Sequence, residues 1–135
     1  MKLILLFFSC FILSGIDYCQ KKELKKSPLD GTWIEMKNRK DTIIFLSEYE
    51  GQYPHFELSR GFDIYNKIKR PKMLSGSYDY IVGNNSLSVR WFLSNDINFH
   101  SYYFKMTPRR DKFRVGDFFR APEEKMDTLT FFRVK

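Results

Sequence analysis

From Thr32 onward, apolar and aromatic residues recur at every second position, and Gly, Asn, Pro and Asp punctuate the runs. A period of two puts alternate side chains on opposite faces of a strand, whereas a helix needs a stripe at 3.6 residues, which this chain lacks. The pattern predicts eight strands: 32–37, 42–47, 55–60, 75–82, 86–93, 99–107, 112–119 and 127–134. Their connections are mostly short, so neighbours are expected to pair antiparallel as a meander. The clearest hairpin joins Ser77–Val82 to Ser86–Trp91 through Gly83-Asn84-Asn85, residues that tolerate the positive φ of tight turns. Two features interrupt the pattern. One is a basic link from Gly61 to Leu74 containing Pro71; the other is Gly116, which suggests a bulge or a barrel corner.

An open meander leaves two unpaired edges, and closure removes both. The expected fold is therefore all-β, a single antiparallel up-and-down meander of about eight strands closed into a small barrel. If Leu87, Val89 and Trp91 point inward, the facing choices on neighbouring strands are Phe56 and Leu58, Tyr78 and Tyr80, and Tyr102 and Phe104. Phe56, Leu58, Tyr78, Tyr80, Trp91, Tyr102 and Phe104 are thus the candidate ligand-binding residues, placed toward the end away from Trp33. An aromatic cup with tyrosyl hydroxyls suits an apolar or aromatic small molecule. The same residues also suffice as the core of a ligand-free domain, and a barrel of eight strands is narrow enough for side chains to fill.

Before the strands, the pattern changes. Lys2 precedes an 11-residue apolar run, Leu3–Leu13, then come Ser14-Gly15, Cys19 and the polar, basic stretch Gln20–Lys26. A membrane-spanning helix needs about 20 apolar residues, so the run reads as an export signal. The expected organisation is residues 1–19 as signal peptide, 20–28 as tether and 29–135 as one domain. Cys19 resembles the lipobox cysteine of bacterial lipoproteins, which is acylated and followed by a polar tether; Cys19 is the candidate lipidation site. Ile16, Asp17 and the bulky Tyr18 stand where small residues are usual, so cleavage after Gly15 and plain secretion form the alternative. The chain's other cysteine, Cys10, also precedes the domain, which therefore has neither an internal disulfide nor a thiol nucleophile. The location this implies is a bacterial cell envelope, as a membrane-anchored lipoprotein or otherwise periplasmic or secreted.

The net charge of +7 is unevenly placed: residues 20–26 carry four lysines against Glu23, and residues 27–135 carry 18 cations against 14 carboxylates. Tether lysines next to an acylated cysteine would meet anionic headgroups. Export and the lack of a recognition motif argue against nucleic acid. His55-Phe56-Glu57 puts an imidazole and a carboxylate on one strand face, but His100 is the only other histidine and no second ligand pair stands out, so no metal is expected. Pro108-Arg109-Arg110-Asp111-Lys112, together with Lys67, Lys69, Arg70 and Lys72, would form a basic rim if both segments lay at one barrel end. Asn84-Asn85-Ser86 fits a glycosylation acceptor, a pattern too short to use in a bacterial-looking chain. Glu48 with Glu50, and Glu123 with Glu124, lie in turn-like stretches where carboxylates are ordinarily solvated. No catalytic or cofactor-binding constellation emerges, and an enzyme is not expected.

Leu29-Asp30-Gly31-Thr32-Trp33 heads the first predicted strand, and Gly31-Thr32-Trp33 resembles the G-x-W motif that opens the first strand of lipocalins and related calycin barrels. The resemblance implies that a basic residue of the last strand packs over Trp33 at the closed end, with Arg133 in the matching position. Gly31, Trp33 and Arg133 would then be a structural closure. The layout of signal, tether, Gly-x-Trp and meander is similar to small lipocalin-like lipoproteins of bacterial envelopes. It lacks the disulfide and C-terminal helix of longer lipocalins. The function so implied is an envelope-tethered barrel binding a small hydrophobic or aromatic molecule. The alternative is a filled barrel presenting loops to an envelope protein or polymer, as an inhibitor or assembly factor would.

Overall fold

Alternation becomes closure in the computed structural model, which describes residues 26–47, 53–120 and 125–134. Among the described residues ten strands form: β1 Gly31–Glu35, β2 Thr42–Leu46, β3 His55–Ser59, β4 Phe62–Tyr65, β5 Ile68–Pro71, β6 Gly76–Val82, β7 Ser86–Trp91, β8 His100–Met106, β9 Lys112–Gly116 and β10 Thr128–Arg133. Eight of them close an antiparallel barrel in the order β1-β10-β9-β8-β7-β6-β3-β2, while β4 and β5 form a separate two-stranded sheet. β1 completes the ring by pairing with both its sequence neighbour and the last strand: Trp33 lies opposite Ile43 on one side and Arg133 on the other. The fold is all-β, an eight-strand antiparallel meander closed into a barrel.

Three local expectations change. The link 61–74 contains the β4–β5 hairpin. Strand β9 stops at Gly116, because Asp117 and Phe119 take positive φ (48° and 44°) and turn the chain into the barrel, so Gly116 is a strand end. The β6–β7 hairpin forms with Val82 opposite Leu87, but positive φ does not explain its turn, since Gly83, Asn84 and Asn85 all keep φ outside that region. A Cβ at Gly83 would lie 2.5 Å from Ser86 Oγ, so a side chain there would require the Ser86 hydroxyl to rotate away.

The inward phase is seen along β7, where Leu87 and Val89 are buried and Ser88 and Arg90 are not. Rings fill the interior. Phe45 packs against Phe56 at 5.2 Å and Tyr80 at 5.0 Å, and Phe113 against Trp33 and Phe131, both at 4.9 Å between centroids. Such tilted and offset contacts add about 0.5–1.5 kcal/mol each to the area they bury.

The two barrel ends differ. At one, the chain enters through residues 27–30 and the turns β6–β7 and β8–β9 follow; there Trp33 donates from Nε1 to the Leu29 carbonyl at 2.6 Å. The Arg133 guanidinium stands over the Trp33 ring, 4.6 Å from its centroid, and also donates to the carbonyl of Pro28. Asp30 accepts from the Ser27 amide and the Ser47 hydroxyl, fixing the segment that carries Leu29 across this end. The opposite end bears the β1–β2, β7–β8 and β9–β10 connections and the β4–β5 hairpin.

Candidate site at the hairpin end of the barrel

At this second end the barrel is stoppered by its own chain. Phe118 and Phe119, just after β9, fold inward: Phe118 contacts Phe56, Tyr102 and Phe131, and Phe119 lies 4.5 Å from the Tyr78 ring centroid. Their carbonyls accept hydrogen bonds from the Arg39 guanidinium, which also pairs with the buried Asp41 at 3.2 Å. Arg60 reaches the same carboxylate oxygen at 3.8 Å.

Arg39 is positioned by Glu35. Strand alternation places Glu35 on the inward face two residues after Trp33, so its carboxylate is fully buried where the chain leaves β1. It accepts four backbone N–H groups: Lys37 on Oε1 at 3.1 Å, and Asn38, Arg39 and Lys40 on Oε2 at 2.7, 2.9 and 3.1 Å. Burial alone would raise its pKa, but the backbone donors, Lys40 foremost, together hold it below the ordinary glutamate value. A buried carboxylate thus organises the turn that aims Arg39 at the plug.

Between the plug and the β7–β8 connection a crevice of about 470 Å³ remains, lined on its apolar side by Leu74, Tyr78, Trp91, Tyr102 and Phe119. Its tyrosines stay neutral near pH 7. Burial pushes the Tyr78 hydroxyl up to about 12, with Tyr102 adding to the shift, and burial likewise raises Tyr102. Tyr78 donates to the Leu74 carbonyl at 3.0 Å.

The seven residues expected to bind a ligand therefore divide. Phe56, Leu58, Tyr80 and Phe104 are buried in packed core; Tyr78, Trp91 and Tyr102 border the crevice, with Trp91 46% exposed at the rim. Leu74 and Phe119 were missed because both lie in segments whose chain direction depends on positive φ, 66° at Leu74 and 44° at Phe119. A second depression of about 600 Å³, lined by Lys37, Arg39, Phe118, Arg120, Lys125 and Met126 among others, lies beside the plug at the same end.

Other chemistry-bearing segments have different neighbours. His55 Nε2 meets Glu57 Oε1 at 2.8 Å, but Glu57 also accepts from Ser77 Oγ, and the imidazole packs edge-on against Phe92. Among the described residues no three His, Cys, Asp or Glu side chains are grouped to hold a metal. The basic turn 108–112 lies at the Trp33 end, whereas Lys67, Lys69, Arg70 and Lys72 lie at the opposite one, so the two segments form no common rim. Cys19, the leader, the tether before Lys26, and the pairs Glu48–Glu50 and Glu123–Glu124 fall outside the described residues. Comparison with protein-family models, curated proteins and solved structures found no match for this chain.

Proposed function

We propose that this chain is an exported, non-catalytic binding module of lipocalin-like build, whose filled barrel acts as a rigid scaffold and whose hairpin end makes the contact. One observation carries the reading: among the described residues the barrel interior is packed with buried aromatic side chains and stoppered by Phe118 and Phe119, while the crevice and the exposed apolar side chains of the adjoining connections gather at one end. Sites grafted on a barrel, rather than the barrel itself, determine what it does. In an envelope setting the partner would be a protein or surface polymer that places an aromatic or apolar group against Tyr78, Trp91 and Tyr102.

The crevice volume supports a second reading, in which those residues and Phe119 hold a small aromatic molecule outright. Native mass spectrometry of the protein from its own host, before and after denaturation, separates the two. A released small molecule whose retention falls in Trp91→Ala establishes the second. A bare polypeptide that instead cross-links to an envelope component through the hairpin end, and loses that cross-link in Trp91→Ala, establishes the first; neither result in both preparations would end the proposal.

A further inference from the structure

The β4–β5 hairpin projects from the barrel, and every residue from Gly61 to Met73 is exposed. An isolated two-stranded hairpin is marginal in water, and one that displays Phe62, Ile64, Tyr65 and Ile68 is costlier still. The register puts Phe62, Ile64, Lys69 and Pro71 on one face and Asp63, Tyr65, Ile68 and Arg70 on the other. Apolar side chains thus point both ways at the tip, where Ile64 is 81% exposed. A protein surface would cover one face of such a finger; a lipid interface surrounds both.

Charge points to the same occupant. Residues 61–73 carry four cations, Lys67, Lys69, Arg70 and Lys72, against Asp63 alone, and the rest of residues 27–135 holds 14 against 13, so nearly all the excess charge of the domain sits on this segment. Lys69 lies 4.4 Å over the Phe62 ring and Arg70 5.8 Å over Tyr65, which shelters the aromatic surfaces beneath cationic heads. The turn Asn66-Lys67 has φ of 49° and 64°, the double positive φ of a primed two-residue turn. Glycine is favoured at its second position, yet a lysine occupies it and puts a charge at the apex. Beside the hairpin base, the β7–β8 connection adds Leu93 and Ile97, 82% and 80% exposed.

We infer that the β4–β5 hairpin is a bilayer-contacting finger: Ile64, Tyr65 and Ile68 enter the headgroup boundary of an anionic phospholipid surface, and Lys67, Lys69, Arg70 and Lys72 pair with its phosphates. The inference rests on the reading that this end is the working face and names the surface it meets. The described chain enters the barrel at the other end, through residues 27–30.

All eight barrel strands, the Trp33 closure and the plug lie within residues 27–134, so the test uses the chain from Gln20 onward, without the apolar leader. The protein is sedimented with vesicles of phosphatidylcholine, with or without phosphatidylglycerol, at low and high salt. Binding is expected only with the anionic lipid, weakening with salt, and falling about tenfold in Ile64→Ser/Ile68→Ser and at least as much in Lys67→Ala/Lys69→Ala. Unchanged thermal midpoints verify that the exposed substitutions leave the barrel folded. Absence of anionic-vesicle binding overturns the inference, as does binding insensitive to the isoleucine pair; equal retention of both forms on soluble polyglutamate would assign the finger to an acidic macromolecule instead. A protein that ignores vesicles but still takes a partner or molecule at Trp91 would overturn the finger alone and leave the proposed function standing.

Discussion

The guanidinium of Arg39 donates to the backbone carbonyl of Phe118, joining a turn ordered by one buried carboxylate to the ring that stoppers the barrel. Glu35, Arg39, Asp41 and Phe118 form one chain of dependence: the carboxylate gathers four amides, the turn aims the guanidinium, and the guanidinium satisfies carbonyls that would otherwise face the barrel mouth. An unpaired buried polar group costs about 1–3 kcal/mol, so this network stabilises the plug chiefly by preventing that loss.

Glu35→Gln should destabilise the protein by about 1–3 kcal/mol at neutral pH, because the amide keeps one acceptor oxygen and brings two donors toward backbone N–H groups. The folded-state pKa of Glu35 is depressed, so its contribution is fully present above the unfolded value of about 4.3 and is lost as pH falls through the folded value. Denaturant titrations from pH 7 to pH 3 should therefore show the gap between wild type and variant closing at the acid end; a constant gap would contradict the assignment.

Phe118→Ala removes a fully buried ring and should cost about 3–5 kcal/mol while opening a cavity in the aromatic core. Saturable binding of a small apolar probe such as benzene, absent in wild type, is the expected gain of function. Arg39→Met should cost a comparable amount without creating the probe site, since it frees both plug carbonyls and takes one cationic partner from the buried Asp41 carboxylate while the ring stays in place.

At the opposite end, Arg133→Ala should cost about 1–2 kcal/mol through loss of the cation–π contact with Trp33 and the hydrogen bond to Pro28. Emission spectroscopy in a Trp91→Phe background isolates Trp33. Its spectrum should remain that of a buried indole, while the thermal midpoint falls by several degrees.

Alkaline titration reports on the crevice. The folded-state pKa of Tyr78 is about 12, above the unfolded value of about 10, so its contribution is intact below pH 10 and is lost as pH rises toward 12. Tyr78→Phe should lose about 1 kcal/mol at neutral pH with the bond to Leu74, yet show a shallower decline of stability above pH 10. Phenolate absorbance followed alongside unfolding would detect a Tyr78 that ionises early in the folded protein, which would contradict its burial.

What the sequence by itself determined is the all-β class and seven of the eight barrel strands to within about two residues at each end; β9, three residues shorter than read, is the exception. Period-two alternation is a local property that each strand carries independently, as Leu87-Ser88-Val89 and Phe113-Arg114-Val115 show. Inward phase was legible for the same reason: Phe56, Leu58, Tyr78, Tyr80 and Phe104 are all buried. Tertiary structure decided which of them could meet a ligand. Extending the alternation of β9, in which Phe113 and Val115 point inward, would put Phe118 on the outer face, but positive φ at Asp117 turns it inward as a plug, held by the Asp117–Asp127 backbone bond, its ring contacts and the Arg39 guanidinium from a distant turn. The β4–β5 hairpin was illegible because neither face is buried and its strands are only four residues long: Phe62-Asp63-Ile64 alternates for three positions and Ile68-Lys69-Arg70-Pro71 does not continue the pattern. The end at which each basic segment lies is a matter of strand pairing: three successive antiparallel strands, β6, β7 and β8, separate Lys67 from Arg109 and so send them to opposite poles of the barrel. Which strands become neighbours across the closed ring, by contrast, is decided only by the tertiary pairing of β1 with β10.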